Sequence, residues 1–171
     1  MYRKPTREEK TQINRAIDRW GAFHALEGKV LLLHEDRERK TVCVVPKPLE
    51  AIILEMQPSL AGLALGQLKK QFFPLMSGAD LFARLGKKNK FYVEVNEDAE
   101  KLVLYGRDVM GESIAEASKE LKENDLVILL NTKHDAIGIG RTRFGGQSLL
   151  QRGKVTITTL ADAGSYLRDE G

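Results

Sequence analysis

Apolar positions change period along this chain, and the changes mark its elements. Thr6-Arg7-Glu8-Glu9 reads as a helix start, with Thr6 as the cap and Glu9 placed to complete a capping box. Ile13, Ala16, Ile17, Trp20 and Phe23 then recur at helical spacing, which predicts an amphipathic helix that ends between Gly21 and Gly28 and buries Trp20 and Phe23. Residues 30–33 and 42–45 are apolar runs that read as strands, joined by a charged turn over 34–40. Residues 49–56 suit a short helix with Ile52, Ile53 and Met56 inward, stopped by Pro58. The stretch 60–73 is ambiguous, because Gly62 and Gly66 weaken both the helical and the strand pattern. Residues 79–85 form a helix that Gly86 closes as a C-terminal cap.

The second half has a different texture. Residues 91–95 and 102–105 read as short strands around an acidic turn, and Ile114, Ala117 and Leu121 predict an acidic helix over 112–123. Three strands follow, at 126–130, 136–142 and 155–159, with a turn at Phe144-Gly145-Gly146. Short strands this closely spaced predict a small closed or half-closed barrel.

Composition narrows the class without choosing a function. The 171 residues are 42% hydrophobic and 30% charged, which fits a globular chain of one ordinary domain or two small ones. No apolar run is long enough to span a membrane, and no apolar segment follows the basic start as a secretory signal requires. One cysteine, Cys43, excludes an internal disulfide and a cysteine metal cluster; in its apolar surroundings it reads as a buried, inert thiol. These points predict a reducing, cytoplasmic setting. Net charge is only +3, but it is unevenly placed. Residues 66–92 carry six basic side chains against Asp80 alone, whereas 93–130 hold four basic and ten acidic ones. Such blocks suggest one face meant for polyanions and another that is not.

Catalysis finds no support in the motifs. The three histidines have no metal-binding spacing, no nucleophile elbow is present, and no phosphate-binding loop appears. Gly138-Ile139-Gly140 lacks the third glycine and the strand–helix context of a dinucleotide loop. The segment Ala136-Ile137-Gly138-Ile139-Gly140-Arg141-Thr142-Arg143 has a clearer meaning. Glycines two apart leave one face of a strand bare, so a packed helix or a ligand can approach closely. Arg141 and Arg143 follow directly, Arg152 and Lys154 lie in the next turn, and Lys133 and Arg168 are near in sequence. Arginine suits phosphates and base faces through paired hydrogen bonds and stacking. Ideal alternation would put Arg141 and Arg143 on the side of Ile137 and Ile139, so the strand must bulge or run past the rim to free them.

Asn124-Asp125-Leu126-Val127-Ile128, then Ala136 to Gly140, then Arg152-Gly153-Lys154-Val155, and finally Asp162 with Tyr166, resemble a PUA domain in order and spacing. More narrowly, Leu104-Tyr105-Gly106-Arg107-Asp108-Val109 and the run from Ala161 to Arg168 are similar to the Nip-seven family of ribosome-biogenesis factors, in its archaeal type. Leu65-Gly66 and the basic residues after it sit where that family has a leucine–glycine pair. The resemblance implies an α+β chain: an N-terminal antiparallel sheet with flanking helices over residues 1–92, and a C-terminal PUA pseudo-barrel over 93–171. It implies a non-catalytic, RNA-binding protein without cofactor or metal, acting as a monomer in large-subunit ribosome assembly and pre-rRNA processing. Its partners would be rRNA or pre-rRNA and other assembly or RNA-processing proteins. The candidate RNA contacts are Arg141, Arg143, Arg152 and Lys154, joined by Lys133, Arg168, Lys69 and Lys70. The alternatives are an adaptor that docks a protein partner through the apolar 60–73 region, and an accessory subunit of an RNA-modifying enzyme.

Overall fold

The computed structural model describes residues 1–168 and divides into two compact units, Met1–Gly86 and the remainder from Lys87 onward. The chain opens with a two-residue strand, β1 (Tyr2–Arg3), and Thr6 starts helix α1 (Arg7–Arg19). The capping box is complete: Glu9 N–H donates to Thr6 Oγ1 at 3.2 Å, and Thr6 N–H donates to the Glu9 carboxylate at 2.8 Å. The hairpin of β2 (Lys29–Asp36) and β3 (Arg39–Pro46) follows, turning at Arg37 with φ 52°. It is longer than its apolar centre predicts, because the ladder extends into the charged residues on both arms.

Helix α2 (Glu50–Met56) buries Ile53 but leaves Ile52 and Met56 outside, which corrects the expected inward face. Gln57 ends the helix in the left-handed region, and its side-chain amide is bonded to both backbone groups of Tyr2, fastening α2 to β1. The ambiguous 60–73 stretch is a hairpin of β4 (Leu63–Leu68) and β5 (Phe72–Pro74), with Leu65, Leu68 and Phe72 buried and Leu60 and Leu63 exposed. Much of its apolar content is therefore core, not a docking patch. Helix α3 (Met76–Leu85) begins earlier than its sequence predicts and ends at Gly86, whose extended backbone (φ −80°) is not the left-handed cap expected. Trp20 stacks on Phe82 with centroids 5.9 Å apart, a contact worth about 1 kcal/mol beyond burial itself. Phe23, expected beside it in the core, is 53% exposed. The five strands form one antiparallel sheet in the order β1-β2-β3-β4-β5. Cys43 lies buried on β3, and desolvation pushes its thiol up to about 11.

The second unit begins with β6 (Tyr92–Val95) and helix α4 (Glu97–Leu104). This helix replaces the turn and strand expected over 96–105. Asn96 caps it by accepting from Ala99 N–H at 2.9 Å, and Glu97, Asp98 and Glu100 oppose the helix dipole in its first turn. Strand β7 (Val109–Met110) and a single 3₁₀ turn lead to β8 (Ile114–Glu116), so the acidic helix expected over 112–123 does not form. Ile114 and Leu121 are buried as their spacing suggests, but from a strand and a turn. Strands β9 (Leu126–Leu130), β10 (Ala136–Thr142) and β11 (Val155–Asp162) and the last helix, α5 (Ser165–Arg168), complete the unit. Its sheet curls into a half-barrel in the order β7-β11-β10-β9-β6-β8, with β6 and β9 parallel and the other pairs antiparallel. Val93, Val103, Val127, Leu129, Ile137 and Ile157 meet in its core.

Candidate nucleic-acid interface

The glycine strand is closed, not open. A Cβ on Gly138 would lie 3.0 Å from Val103 Cγ1 of α4, and one on Gly140 would lie 2.5 Å from Ile157 Cγ2. The bare strip therefore admits helix α4 and core side chains, and both glycines are buried. Of the two occupants that the sequence leaves open, the tertiary structure selects the helix.

A bulge breaks the alternation at Ile137, so that Ile137, Gly138 and Gly140 all meet the core while Arg141 keeps the other side with Ile139. β10 carries an extra residue against β9 at Ile137, and β11 an extra residue against β10 at Leu160. Arg141 is half-buried and donates to the Asn124 carbonyl at 3.0 Å, tying down the loop before β9. Arg143 lies just past the end of β10 and is exposed; it donates to Thr158 Oγ1 at 2.7 Å and to Asp108 at 3.3 Å. Arg152 and Lys154 occupy the turn that enters β11, antiparallel to β10, and so lie at the same end of the strand pair as Arg143. Gly153 N–H donates to the Glu112 carboxylate at 3.0 Å. That bond, with the backbone N–H of Glu112 itself first and the charge of Arg152 after, holds the Glu112 carboxyl below the usual range. Lys154 Nζ sits 5.9 Å from the centre of the Phe144 ring.

The other two candidates of this unit, Lys133 and Arg168, lie elsewhere. Lys133 lies in the β9–β10 turn at the opposite end of β10. Arg168 is at that far end too, where its guanidinium grips both oxygens of buried Asp162 at 3.0 and 2.8 Å and donates to the Leu104 carbonyl. Lys69 and Lys70 form the β4–β5 turn of the first unit, where the Lys70 carbonyl accepts from Gln12 at 2.5 Å.

One group was missed from sequence. The loop after α4 places Arg107 and Asp108 against the outer edge of β11: Thr159 N–H donates to Asp108 Oδ1 and Thr159 Oγ1 to the Arg107 carbonyl, each at 2.9 Å. Asp108 thus links this loop to Arg143, with Arg107 exposed and Tyr105 69% exposed beside it. The available signal was Asn96 as a helix cap, which turns 105–108 from a strand end into a helix-terminal loop with Gly106 at φ 77°. His134 pairs with Glu94 at 3.1 Å and not with its neighbour Asp135. Among the described residues no cluster of three potential metal ligands occurs, and no helix is long and apolar enough to cross a membrane.

A half-barrel with a basic rim, preceded by a separate antiparallel sheet, defines a two-unit protein of the PUA class. The comparisons agree. Residues 91–171 match the UPF0113 PUA domain, and residues 2–76 match the NIP7/UPF0113 pre-PUA domain. A UPF0113 protein of Archaeoglobus fulgidus is 35% identical over 99% of this chain and 95% of its own length. The chain belongs to the NIP7/UPF0113 family. Two solved structures share the fold over 99% of both chains: a conserved PUA domain protein from Thermoplasma acidophilum (TM-score 0.70, 15% identity) and a hypothetical protein from Pyrococcus horikoshii (0.71, 17%).

Proposed function

We propose that the protein binds RNA through the rim of its C-terminal half-barrel and acts without catalysis in large-subunit ribosome assembly and pre-rRNA processing. The observation that carries this reading is the convergence of Arg143, Arg152 and Lys154 at one end of the β10–β11 pair. Asp108 joins them to the loop that bears Arg107. Phosphates supply the affinity at such a rim, and the half-buried Phe144 ring beside Lys154 offers a surface for an unstacked base. Arg141 belongs to the reading as the residue that holds the adjacent loop. Lys133 and Arg168 contribute less, because they lie at the far end of the strand pair and Arg168 is committed to Asp162. Membership in the NIP7/UPF0113 family supports the reading.

The test is RNA binding across a salt series, with structured and single-stranded RNA. Changing Arg141, Arg143, Arg152 and Lys154 together to Ala is expected to lower the salt slope by about 3 and the affinity by roughly a hundredfold. An unchanged affinity and slope in a folded variant overturns the assignment.

A further inference from the structure

Strand β2 has one fully paired edge and one that is unpaired over its first residues. On the paired side it meets β3 along its whole length, from Lys29↔Pro46 to Asp36↔Arg39. On the other side the N-terminal segment covers it from Leu33 to Glu35, through Arg3, Tyr2 and Met1. Continuing that register puts Pro5 opposite Leu31. Proline has no N–H to donate, and at Thr6 the chain turns away into α1. Glu35 N–H donates to the Met1 carbonyl at 2.9 Å, which fixes the odd-numbered residues of β2 as those whose backbone groups face this edge. The outward N–H and C=O of Leu31 and Lys29 have no hydrogen-bond partner among the described residues. A short bare edge of this kind is a template for strand addition unless something blocks it.

Its surroundings form a groove instead of a block. The opening, about 430 Å³, is lined beside Val30 and Leu31 by Phe23 and Leu26 from the turn after α1 and by Lys10 from α1 itself. This accounts for the exposure of Phe23, which the helical pattern alone would bury. Of the carboxylates lining the groove, Glu50 pairs with Lys4 at 3.2 Å, and Glu27 is exposed with His24 Nδ1 3.4 Å away, so three lysines line the groove against two carboxylates. Lys10 and Lys29 have no carboxylate partner among the described residues. The edge thus offers alternating backbone donors and acceptors, an apolar wall and two unpaired positive charges.

We propose that the open edge of β2 is a docking edge for an extended, acidic segment of a partner protein, which joins the sheet as a strand beside Leu31 and Lys29 and sets apolar side chains against Phe23 and Leu26. This is separate from RNA binding by the C-terminal rim. Main-chain pairing would supply the affinity and the wall the register. A nucleic-acid strand matches the lysines but not the edge, since phosphates only accept and leave the outward carbonyls unpaired. A second copy of this chain would set the same lysine-bearing edge against itself, and like-charge repulsion disfavours it.

The probe is a capped peptide of about ten residues alternating Val with Glu, titrated into the ¹⁵N-labelled full chain. Binding is expected to shift the amide resonances of Lys29 and Leu31 and to slow their exchange. A peptide N-methylated at the sheet-facing amides is expected to lose binding. The Lys10→Glu, Lys29→Glu double variant changes only exposed side chains and is expected to weaken binding about tenfold. The proposal is overturned if the acidic peptide leaves those amides unshifted, or if N-methylation or charge reversal makes no difference. It is equally overturned if oligouridylate protects the two amides better than the peptide does, or if their protection follows protein concentration without any peptide.

Discussion

Arg168 and Arg143 both reach an aspartate beside strand β11, at opposite ends of the same sheet. Arg168 holds Asp162 by two hydrogen bonds of 3.0 and 2.8 Å, and Asp162 is 6% exposed. Arg143 touches Asp108 once, at 3.3 Å, with both side chains more than a third exposed or close to it. The first pair takes a charge out of water and must keep its partner to remain there; the second stays hydrated and can exchange Asp108 for another anion at little cost. Basic side chains near in sequence therefore do unlike work, and burial of the carboxylate separates them. The N-terminal unit repeats the first case, where Arg3 bridges Glu9 and Glu35 at 2.8 and 2.6 Å and Lys40 adds a second contact to Glu9.

The contrast predicts a graded set of outcomes. Arg168→Ala leaves Asp162 buried without its partner and is expected to cost about 2 to 3 kcal/mol, seen as a lower denaturation midpoint with RNA affinity per folded molecule unchanged. A loss of RNA affinity at full stability would move Arg168 to the binding side of the comparison. Arg3→Ala is expected to cost about 1 to 2 kcal/mol, since Lys40 still serves Glu9; Trp20, the single tryptophan, reports it by fluorescence. Acid makes the same point without mutation. The Arg3 guanidinium first, with the Thr6 N–H and Lys40 behind it, holds the Glu9 carboxyl well below its ordinary value of 4.5. A depressed carboxyl adds stability that is complete above that value and is lost as pH falls below it. The Trp20 transition is therefore expected to weaken below about pH 4.5, and less steeply in Glu9→Gln. The smallest effect on stability is expected for Arg143→Ala, below about 0.5 kcal/mol, together with a salt slope of RNA binding reduced by about 1. A large stability loss there would erase the distinction between the two ends.

Several parts of this arrangement are legible in the residues alone, because their causes are local. The Thr6–Glu9 box acts across three residues, the runs at 30–33 and 42–45 carry strand propensity, and Gly138 with Gly140 announces a close approach. The errors share a different cause. Residues 102–105 are apolar in either a helix or a strand, and only the Asn96 cap with its acidic first turn decides for the helix. Ile114, Ala117 and Leu121 have helical spacing, yet Glu116 pairs with Glu94 on β6 and Leu121 reaches the core from a turn. Ile52, Met56 and Phe23 carry apolar patterns that no element of the unit covers fully.

By itself the sequence determined the first helix start, the glycine-opened strand and the supply of basic residues around it, since composition, spacing and short-range hydrogen bonding are properties of the chain. Tertiary structure alone decided that α4 fills the glycine strip, and that a bulge at Ile137 turns Arg141 to the side away from the core. It also decided that Arg143, Arg152 and Lys154 meet while Arg168 and Lys133 lie at the far end. Strand register makes those choices, and register is set by pairing partners distant in sequence: a single extra residue in a ladder turns every following side chain to the other face.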